Sequence, residues 1–181
     1  MVSVMDISKI DMSKNVFSAV DVAGESIEQI NDKTQNIQLV TFNIGQEEFG
    51  VDILTVQEII RMIEITRVPN TKKYVKGVIN LRGKIIPIIN LRGKLNISHK
   101  VFDRNTRIIV VEKEELIVGF IVDEVNEVTS VDKTICEPPP PSIGEIDITF
   151  IDSVAKLSDR LLILLNLDAL LVNLENDIND I

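Results

Sequence analysis

Residues 77–95 read GVINLRGKIIPIINLRGKL, in which the hexapeptide INLRGK occurs twice, ten residues apart. In the first copy, Arg82-Gly83 separates two runs rich in β-branched residues, 77–81 and 84–90, and this pattern predicts a β-hairpin. Gly83 can adopt the positive φ angle that a tight turn requires. Arg82 would then be held at the turn, where its planar guanidinium group can bridge backbone carbonyls or a carboxylate.

The second copy has different surroundings. It follows the strand-like run and leads into a polar loop, LNISHKVFDRN. Asn90 fits the N-cap of a single helical turn, and Gly93 fits the residue that ends it. Pro87, between the two copies, predicts a strand that is bulged or at a sheet edge, because proline donates no ladder hydrogen bond. The two copies are therefore predicted to be different elements, one turning a hairpin and the other closing a strand.

On both sides of this stretch, apolar and alternating runs extend the β pattern. Upstream, 38–44 and 48–53 flank a turn containing glycine and predict a hairpin, and downstream 107–112 and 116–123 predict another. Three more runs predict strands, at 127–131, 146–155 and 160–166. Many short strands with turn signals about every ten residues are typical of small barrels or a sandwich.

Helical signals are fewer. Residues 54–62 fit either a short helix or the lead into a strand, and Asn70 can cap a helical turn at 71–76. The proline-rich stretch 137–145 predicts an extended connection. Near the end of the chain, apolar residues recur at helical spacing and predict an amphipathic C-terminal helix; they are Leu167, Leu170, Leu171, Leu174, Ile178 and Ile181.

Composition limits the class of protein. Residues 1–36 are polar with scattered apolar side chains, so we expect a flexible tail ahead of one folded domain at 37–181. A single cysteine, Cys136, excludes an intramolecular disulfide and a CxxC metal clip. The first residues lack a signal-peptide pattern, and the longest apolar stretch, 161–174, is too short to cross a bilayer. We therefore expect a cytoplasmic protein.

Charge is distributed unevenly along the chain. Residues 61–107 contain twelve Lys or Arg against two acidic residues, a net charge of +10, although the whole chain carries −9. A basic patch for an acidic partner would produce such a split. Cations pointing outward and neutralised by acidic neighbours would produce it equally well, so both interpretations stand at this point.

The chain resembles the CheW family of chemotaxis coupling proteins over residues 38–172, with the matching pieces in family order and spacing. The pieces that carry the resemblance are FNIGQEEFGVDILTVQEI (42–59), YVKGVINLRGKIIPIINLR (74–92), VGFIVDEVNEV (118–128), the EPPPP loop and LLILLNLDALL (161–171). One departure is Asn90, at a position where the family usually has aspartate.

The resemblance implies a mainly β fold of two intertwined five-stranded barrels with short helices and a C-terminal helix. It also implies a non-enzymatic scaffold that couples chemoreceptors, the methyl-accepting chemotaxis proteins, to the histidine kinase CheA. The partners would be the regulatory domain of CheA and the cytoplasmic tips of the receptors. Such a protein would be cytoplasmic and recruited to membrane-bound receptor arrays, without inserting into the membrane itself.

Family positions that match this sequence imply two groups of site residues. A kinase-binding group lies in the TVQEI segment and consists of Val56, Glu58 and Ile59. A group associated with receptor binding and signalling consists of Gly77, Arg82, Val125 and Val128. Each also has a structural interpretation: core packing for the aliphatic residues, solvation for Glu58, a pinned turn for Arg82 and a close backbone approach for Gly77.

Two other classes of function are open to test. The basic segment 61–107 suggests a barrel that binds single-stranded nucleic acid, but it offers only Tyr74 and Phe102 as stacking platforms. An enzyme is disfavoured, because the one histidine, His99, lies in a polar loop without a neighbouring cysteine and no Gly-rich phosphate loop occurs. We therefore expect no catalytic residue, no cofactor, no metal site and no nucleic-acid partner.

Overall fold

The computed structural model describes residues 36–178. The predicted tail lies outside the described residues except for Asn36, which begins the first strand. The β-strands are β1 (Asn36–Ile44), β2 (Glu47–Asp52), β3 (Val56–Arg61), β4 (Val75–Leu81), β5 (Lys84–Asn90), β6 (Arg107–Lys113), β7 (Leu116–Val122), β8 (Glu124–Asp132), β9 (Cys136–Glu137), β10 (Ile151–Lys156) and β11 (Leu161–Leu165). Among these described residues there are also two α-helices, α1 (Leu91–Lys94) and α2 (Leu167–Ile178), and short 3-10 turns.

The strands form two sheets that divide the chain in an interleaved way. Sheet I is built from the middle of the chain in the order β3-β6-β7-β5-β4, and sheet II from both ends in the order β8-β1-β2-β11-β10-β9. Neighbours are antiparallel except for β5 with β7 and β11 with β2. The mainly β prediction with two strand-built lobes is confirmed. Sheet II has six strands instead of five, because the two residues of β9 pair with β10.

Successive residues along a strand point to opposite faces, and both faces of each sheet are apolar. In β6, Ile109 and Val111 enter a large cluster that draws side chains from both sheets and from α2, here called the shared core. The alternate residues Ile108 and Val110 enter a smaller cluster that belongs to sheet I alone. Sheet II has its own small cluster around Leu39 and Leu162. Burial on both faces explains why these strands read as continuous apolar runs.

The hairpin turns follow the predicted backbone chemistry. Arg82 and Gly83 have φ angles of 52° and 84°, the two positive values that a type I′ turn needs. Asn80 closes this turn by accepting a hydrogen bond of 2.9 Å from the Gly83 amide. The predicted hairpins at β1–β2 and β6–β7 are likewise present, with Gly45 at φ 69° in the first of these turns.

Of the two alternatives predicted for Pro87, the edge strand is wrong, whereas the β4–β5 pairing does have a register shift close to it, between the pairs Val75–Ile89 and Gly77–Ile88. β5 lies between β4 and β7, and Pro87 pairs with Val78 of β4. The parallel pairing with β7 begins only at Ile88, so at Pro87 the strand has a single neighbour. The missing amide hydrogen is therefore tolerated within an inner strand.

The predicted helical turn at 71–76 is absent, and the predicted strand at 146–155 is shorter than expected. Asn70 has a left-handed φ of 60°, whereas an N-cap residue adopts an extended backbone. The Val75 amide closes a turn onto the Lys72 carbonyl at 2.9 Å, and β4 starts there. Before β10, residues Ile148–Phe150 form a 3-10 turn capped by the Asp147 side chain.

The second hexapeptide does form one helical turn, α1, as predicted. Asn90 stands at its N-cap position but makes no capping hydrogen bond with its side chain, and within the described residues its buried Oδ1 atom has no partner. Gly93 lies inside the helix instead of ending it, and a Cβ atom there would approach Tyr74 to 3.2 Å. The cap hydrogen bond predicted for Asn90 and the helix end predicted at Gly93 are therefore wrong. Glycine occupies position 93 because of a tertiary contact, its close packing against Tyr74, and not because the helix ends there.

The amphipathic C-terminal helix is confirmed as α2 over Leu167–Ile178, and the predicted Ile181 lies outside the described residues. Leu167, Leu170, Leu171 and Leu174 are buried in the shared core. Asn166 caps the helix by accepting a hydrogen bond from the Ala169 amide at 3.0 Å. No helix in residues 36–178 is both long and apolar enough to span a membrane.

Candidate functional site

One candidate surface lies where the two edges of sheet I approach each other. Glu58 is on the edge strand β3, Arg82 is at the tip of the β4–β5 hairpin, and Arg82 Nη2 lies 3.1 Å from Glu58 Oε2. The Arg82 side chain is 69% exposed, whereas that of Glu58 is 13% exposed. The structure thus joins a residue predicted to bind kinase with one predicted to signal, and it assigns Arg82 a carboxylate partner.

Val56 and Ile59, the other two residues of the kinase-binding group, are buried beneath this surface. A register shift in the pairing of β3 with β6 between Val56 and Glu58 changes the phase of the strand. Both residues therefore face the shared core, and each is only 7% exposed. The exposed apolar residue beside them is Leu54, at 86% exposure, which sequence reasoning missed.

A local sequence signal identifies the position of Leu54. Asp52 accepts a hydrogen bond of 2.9 Å from the Leu54 amide, and the Thr55 hydroxyl donates to the Asp52 carbonyl at 2.7 Å. This aspartate-capped 3-10 turn holds Leu54 away from the core just before β3 begins. A DxxT pattern between two strands is a recognisable sign of such a turn.

Gly77 lies in close contact with the backbone of the segment that follows β3. Its φ angle is 139°, and a Cβ atom at this position would lie 2.1 Å from the carbonyl oxygen of Thr66. Thr66 and Val78, the residue after Gly77, exchange two backbone hydrogen bonds of 2.9 and 2.8 Å. These bonds link the segment after β3 to the opposite edge strand, β4. The close backbone approach is therefore the observed setting of Gly77.

Val125 and Val128 lie on β8, at the edge of sheet II. Val128 pairs with Val40 and Val125 with Phe42, so three steps along β8 match two along β1. This bulge places both valines on the same face, although a spacing of three residues would separate them in a regular strand. Both are half-buried and pack against the shared core, on a different sheet from Glu58 and Arg82.

The second hexapeptide buries both of its cations. Arg92 Nε donates to Asp123 Oδ1 at 2.8 Å, and the Gly45 amide donates to Asp123 Oδ2 at 2.9 Å. Burial of the Asp123 carboxyl favours its neutral form, but the hydrogen bonds from Arg92 and Gly45 outweigh burial and keep the pKa of Asp123 below its usual range. This cluster connects α1, the β1–β2 turn and the crossover from β7 to β8.

Lys94 forms a second buried cluster. Its side chain is only 7% exposed. The Lys94 Nζ atom lies 4.4 Å from the centre of the Tyr74 ring and 5.4 Å from the centre of the Phe150 ring. The same Nζ is 3.2 Å from the Tyr74 hydroxyl and 3.9 Å from Asp177 on α2. The Tyr74 hydroxyl donates to Asp177. Desolvation lowers the pKa of Lys94, against the opposing attraction of Asp177. These contacts attach α2 to α1, and they are structural in character.

The basic segment does not form one continuous strip. Arg92 and Lys94 are buried, Arg82 is paired with Glu58, and Lys100 is paired with Asp103 at 2.9 Å. Tyr74 is engaged with Lys94, and Phe102 has Lys76 Nζ 6.0 Å from its ring centre. The two aromatic rings of the segment are therefore not an open stacking platform, and a nucleic-acid groove is not favoured.

The residues considered for catalysis are scattered. His99 is exposed in the loop after α1, and Cys136 is half-buried at β9. Burial raises the pKa of the Cys136 thiol, which disfavours the thiolate. Within residues 36–178, no three or more His, Cys, Asp or Glu side chains are grouped so that they could hold a metal ion.

Comparison with known proteins gives a consistent result. The family model of the CheW-like domain matches residues 38–175. The chain is 35% identical to the chemotaxis protein CheW of Klebsiella aerogenes, over 83% of this chain and 86% of that protein. It is 33% identical to the chemotaxis protein CheW of Helicobacter pylori, over 87% of this chain and 94% of that protein. A crystal structure of the scaffolding protein TtCheW from Thermoanaerobacter tengcongensis superposes with a TM-score of 0.69 at 37% identity, covering 76% and 88% of the two chains.

Proposed function

This chain belongs to the CheW-like family, and from that premise we propose that it is a non-enzymatic scaffold of chemotaxis signalling. In this role it couples the cytoplasmic tips of chemoreceptors to the regulatory domain of the histidine kinase CheA. It acts in the cytoplasm and reaches membrane-bound receptor arrays through these protein partners. The matching of a named scaffolding protein over most of the chain supports the scaffold role.

The observation that carries the coupling role is the Glu58–Arg82 pair. One residue of each proposed group meets the other across the two edges of sheet I, 3.1 Å apart. A partner that binds at Glu58 therefore also alters the surroundings of Arg82, which is largely exposed. Such a pair lets kinase contact and signalling share one physical element without any covalent chemistry.

The kinase-facing surface proposed here combines Leu54 and Glu58, and the signalling residue Arg82 lies at its margin through its ion pair with Glu58. Leu54 offers an exposed aliphatic side chain on the 3-10 turn that leads into β3, four residues before the Glu58 carboxylate. A small apolar contact with a polar rim is typical of transient protein interfaces. Val56 and Ile59 serve this surface by holding β3 against the shared core.

The receptor-facing surface proposed here uses Val125 and Val128 on β8. Because the bulge brings both to one face, they can contact the apolar side of a helical receptor tip together. Gly77 contributes indirectly, since it has no side chain to contact a partner and instead keeps the Thr66–Val78 bridge closed.

Reconstitution of the full chain with CheA and a receptor-tip fragment tests this function. We expect Glu58→Ala to weaken kinase association by roughly three- to tenfold, as a rim contact of about 1 kcal/mol implies. We expect Arg82→Ala to retain most kinase binding but to reduce the dependence of kinase activity on receptor.

The matched control is Lys156→Ala. Lys156 forms an exposed ion pair with Glu137 at 2.8 Å, similar in kind to the Glu58–Arg82 pair but located on sheet II between β9 and β10. This variant should leave both readouts unchanged. If Glu58→Ala and Arg82→Ala behave like the control in both assays, the assignment of this surface is wrong.

A further inference from the structure

A basic hollow lies in the connection from β3 to β4. Its lining, within residues 67–76, contains four cations and no acidic side chain: Arg67, Lys72, Lys73 and Lys76. Among the residues that the structure describes, none of the four forms an ion pair, in contrast to Arg82, Arg92, Lys94 and Lys100. Of the eight cations of the basic segment that form no ion pair among the described residues, four therefore lie together in this hollow.

The hollow has an apolar border. Lys76 Nζ lies 6.0 Å from the centre of the Phe102 ring, which places the loop after α1 beside this cation of the hollow. Phe102 is 37% exposed and the adjacent Val101 is 78% exposed. We call these six residues, four cations with Val101 and Phe102, the basic patch. Such a surface suits a segment that carries both carboxylates and aliphatic side chains.

The chain itself contains a segment of that kind. Residues 21–32 read DVAGESIEQIND, with four acidic residues, no Lys or Arg, and isoleucines at 27 and 30. We propose that residues 21–32 dock on the basic patch of the same molecule, with their carboxylates on the cations and their isoleucines against Val101 and Phe102. This inference is independent of the proposed scaffold function, and it assigns a role to a stretch that the family match at 38–175 does not include.

The connection is long enough for residues 21–25 to reach distances comparable to the width of the domain. Asp21 and Glu25 precede Asn36 by 15 and 11 residues, so they can lie up to about 50 and 36 Å from it at roughly 3.3 Å per residue. A domain of this size has a radius of gyration of about 15 Å. Each exposed ion pair adds only about 1.5- to fivefold to the binding equilibrium. Attachment to the same chain, however, supplies an effective concentration in about the millimolar range, which suffices for a weak contact.

Zero-length carbodiimide crosslinking of the full-length protein tests the proposal, because this reagent joins only carboxylates and amines in direct contact. We expect crosslinks from Asp21, Glu25 or Glu28 to Lys72, Lys73 or Lys76 in the monomer at low salt. They should disappear at about 1 M salt, where the Debye length is about 3 Å. Arg67→Glu leaves every lysine target in place and should reduce these crosslinks by about two- to fivefold.

Two controls make the result decisive. Lys133 is exposed and adjoins Asp132, which pairs with Asn36, so an undocked tail would react preferentially with Lys133. Arg61→Glu changes the total charge as Arg67→Glu does but lies outside the hollow, and it should have no effect. Crosslinks concentrated at Lys133, or no crosslinks to the hollow, would overturn the proposal. Crosslinks to the hollow found only in a dimer would assign the site to a second copy and would equally overturn docking within one molecule.

Discussion

Replacing Gly77 by alanine should damage the fold at a position where a signalling role is also expected. The added Cβ atom would lie 2.1 Å from the Thr66 carbonyl oxygen and 2.8 Å from its carbon, both backbone atoms that cannot rotate away. The φ angle of 139° is also one that side chains with a Cβ rarely adopt. This steric clash is relieved only if the segment after β3 moves away from β4, and that movement breaks the Thr66–Val78 bridge.

The size of the effect follows from these contacts. Losing the two bridge hydrogen bonds costs about 0.5–1.5 kcal/mol each. A strained backbone conformation adds about 1–3 kcal/mol if the residue does not move. The lower entropy of the unfolded alanine chain returns about 0.4–1 kcal/mol. We therefore expect Gly77→Ala to lower the free energy of unfolding by about 2–4 kcal/mol, or roughly 5–15 °C in Tm for a domain of this size.

Urea denaturation followed by circular dichroism measures this loss. Gly83→Ala is the matched control, because Gly83 lies in the turn of the same hairpin with φ 84° and nothing within 4 Å of an added Cβ. That substitution should cost only about 1 kcal/mol. Equal stability of the two variants, or a Gly77→Ala loss below about 0.5 kcal/mol, would refute the reasoning. Receptor binding by Gly77→Ala is then interpretable only at temperatures where the variant is folded.

Two further predictions concern pH. Tyr74 is the single tyrosine of a chain without tryptophan. Burial and then the hydrogen bond to Asp177 raise its pKa well above the usual value of about 10, so the folded protein should show no tyrosinate absorbance at roughly pH 11. The stabilisation linked to this group is present below about pH 10 and is lost as the pH rises through the folded pKa; a titration near pH 10 in the folded protein would contradict this account. The pKa of Asp123 is shifted in the opposite direction. Burial opposes ionisation of this carboxyl, but Arg92 and the Gly45 amide keep its pKa below the usual value of about 3.9. Its stabilisation is present above about pH 4 and is lost as the pH falls through the folded pKa, so the urea midpoint should fall more steeply with acid in the wild type than in Asp123→Asn. Parallel acid profiles for the two proteins would show that this ion pair is not linked to folding.

The β-hairpins could be predicted because their information is local. Arg82-Gly83 and Gly45 stand between runs of β-branched residues, and the positive φ angles they adopt are set within four residues of chain. The helix α2 was equally accessible, since its apolar residues recur at the helical period. The edge alternative for Pro87 failed for the converse reason: whether a strand has one neighbour or two at a given residue depends on a partner strand about thirty residues away.

The site residues show the same difference between what local sequence predicts and what distant parts of the chain decide. Family resemblance identified Glu58 and Arg82 separately, but their 3.1 Å contact depends on the two edges of sheet I meeting through the Thr66–Val78 bridge. Family resemblance grouped Val125 with Val128, but in a regular strand a spacing of three residues would put them on opposite faces, and only the bulge against β1 places them together. Leu54 was overlooked because its exposure depends on a 3-10 turn whose direction is set by the strands on either side.

By itself, the sequence determined the class of fold, the hairpin turns, the C-terminal helix and the family, because each depends on residues that are neighbours along the chain or on their order. The sequence also predicted that the two INLRGK copies are different elements, but tertiary structure alone decided which of their cations are buried and which carboxylates pair with them. The arginine of the first copy is 69% exposed at a hairpin tip, whereas Arg92 and Lys94 of the second are buried against Asp123 and Asp177. Identical hexapeptides differ in this way because the acidic partners and the covering side chains come from distant parts of the chain.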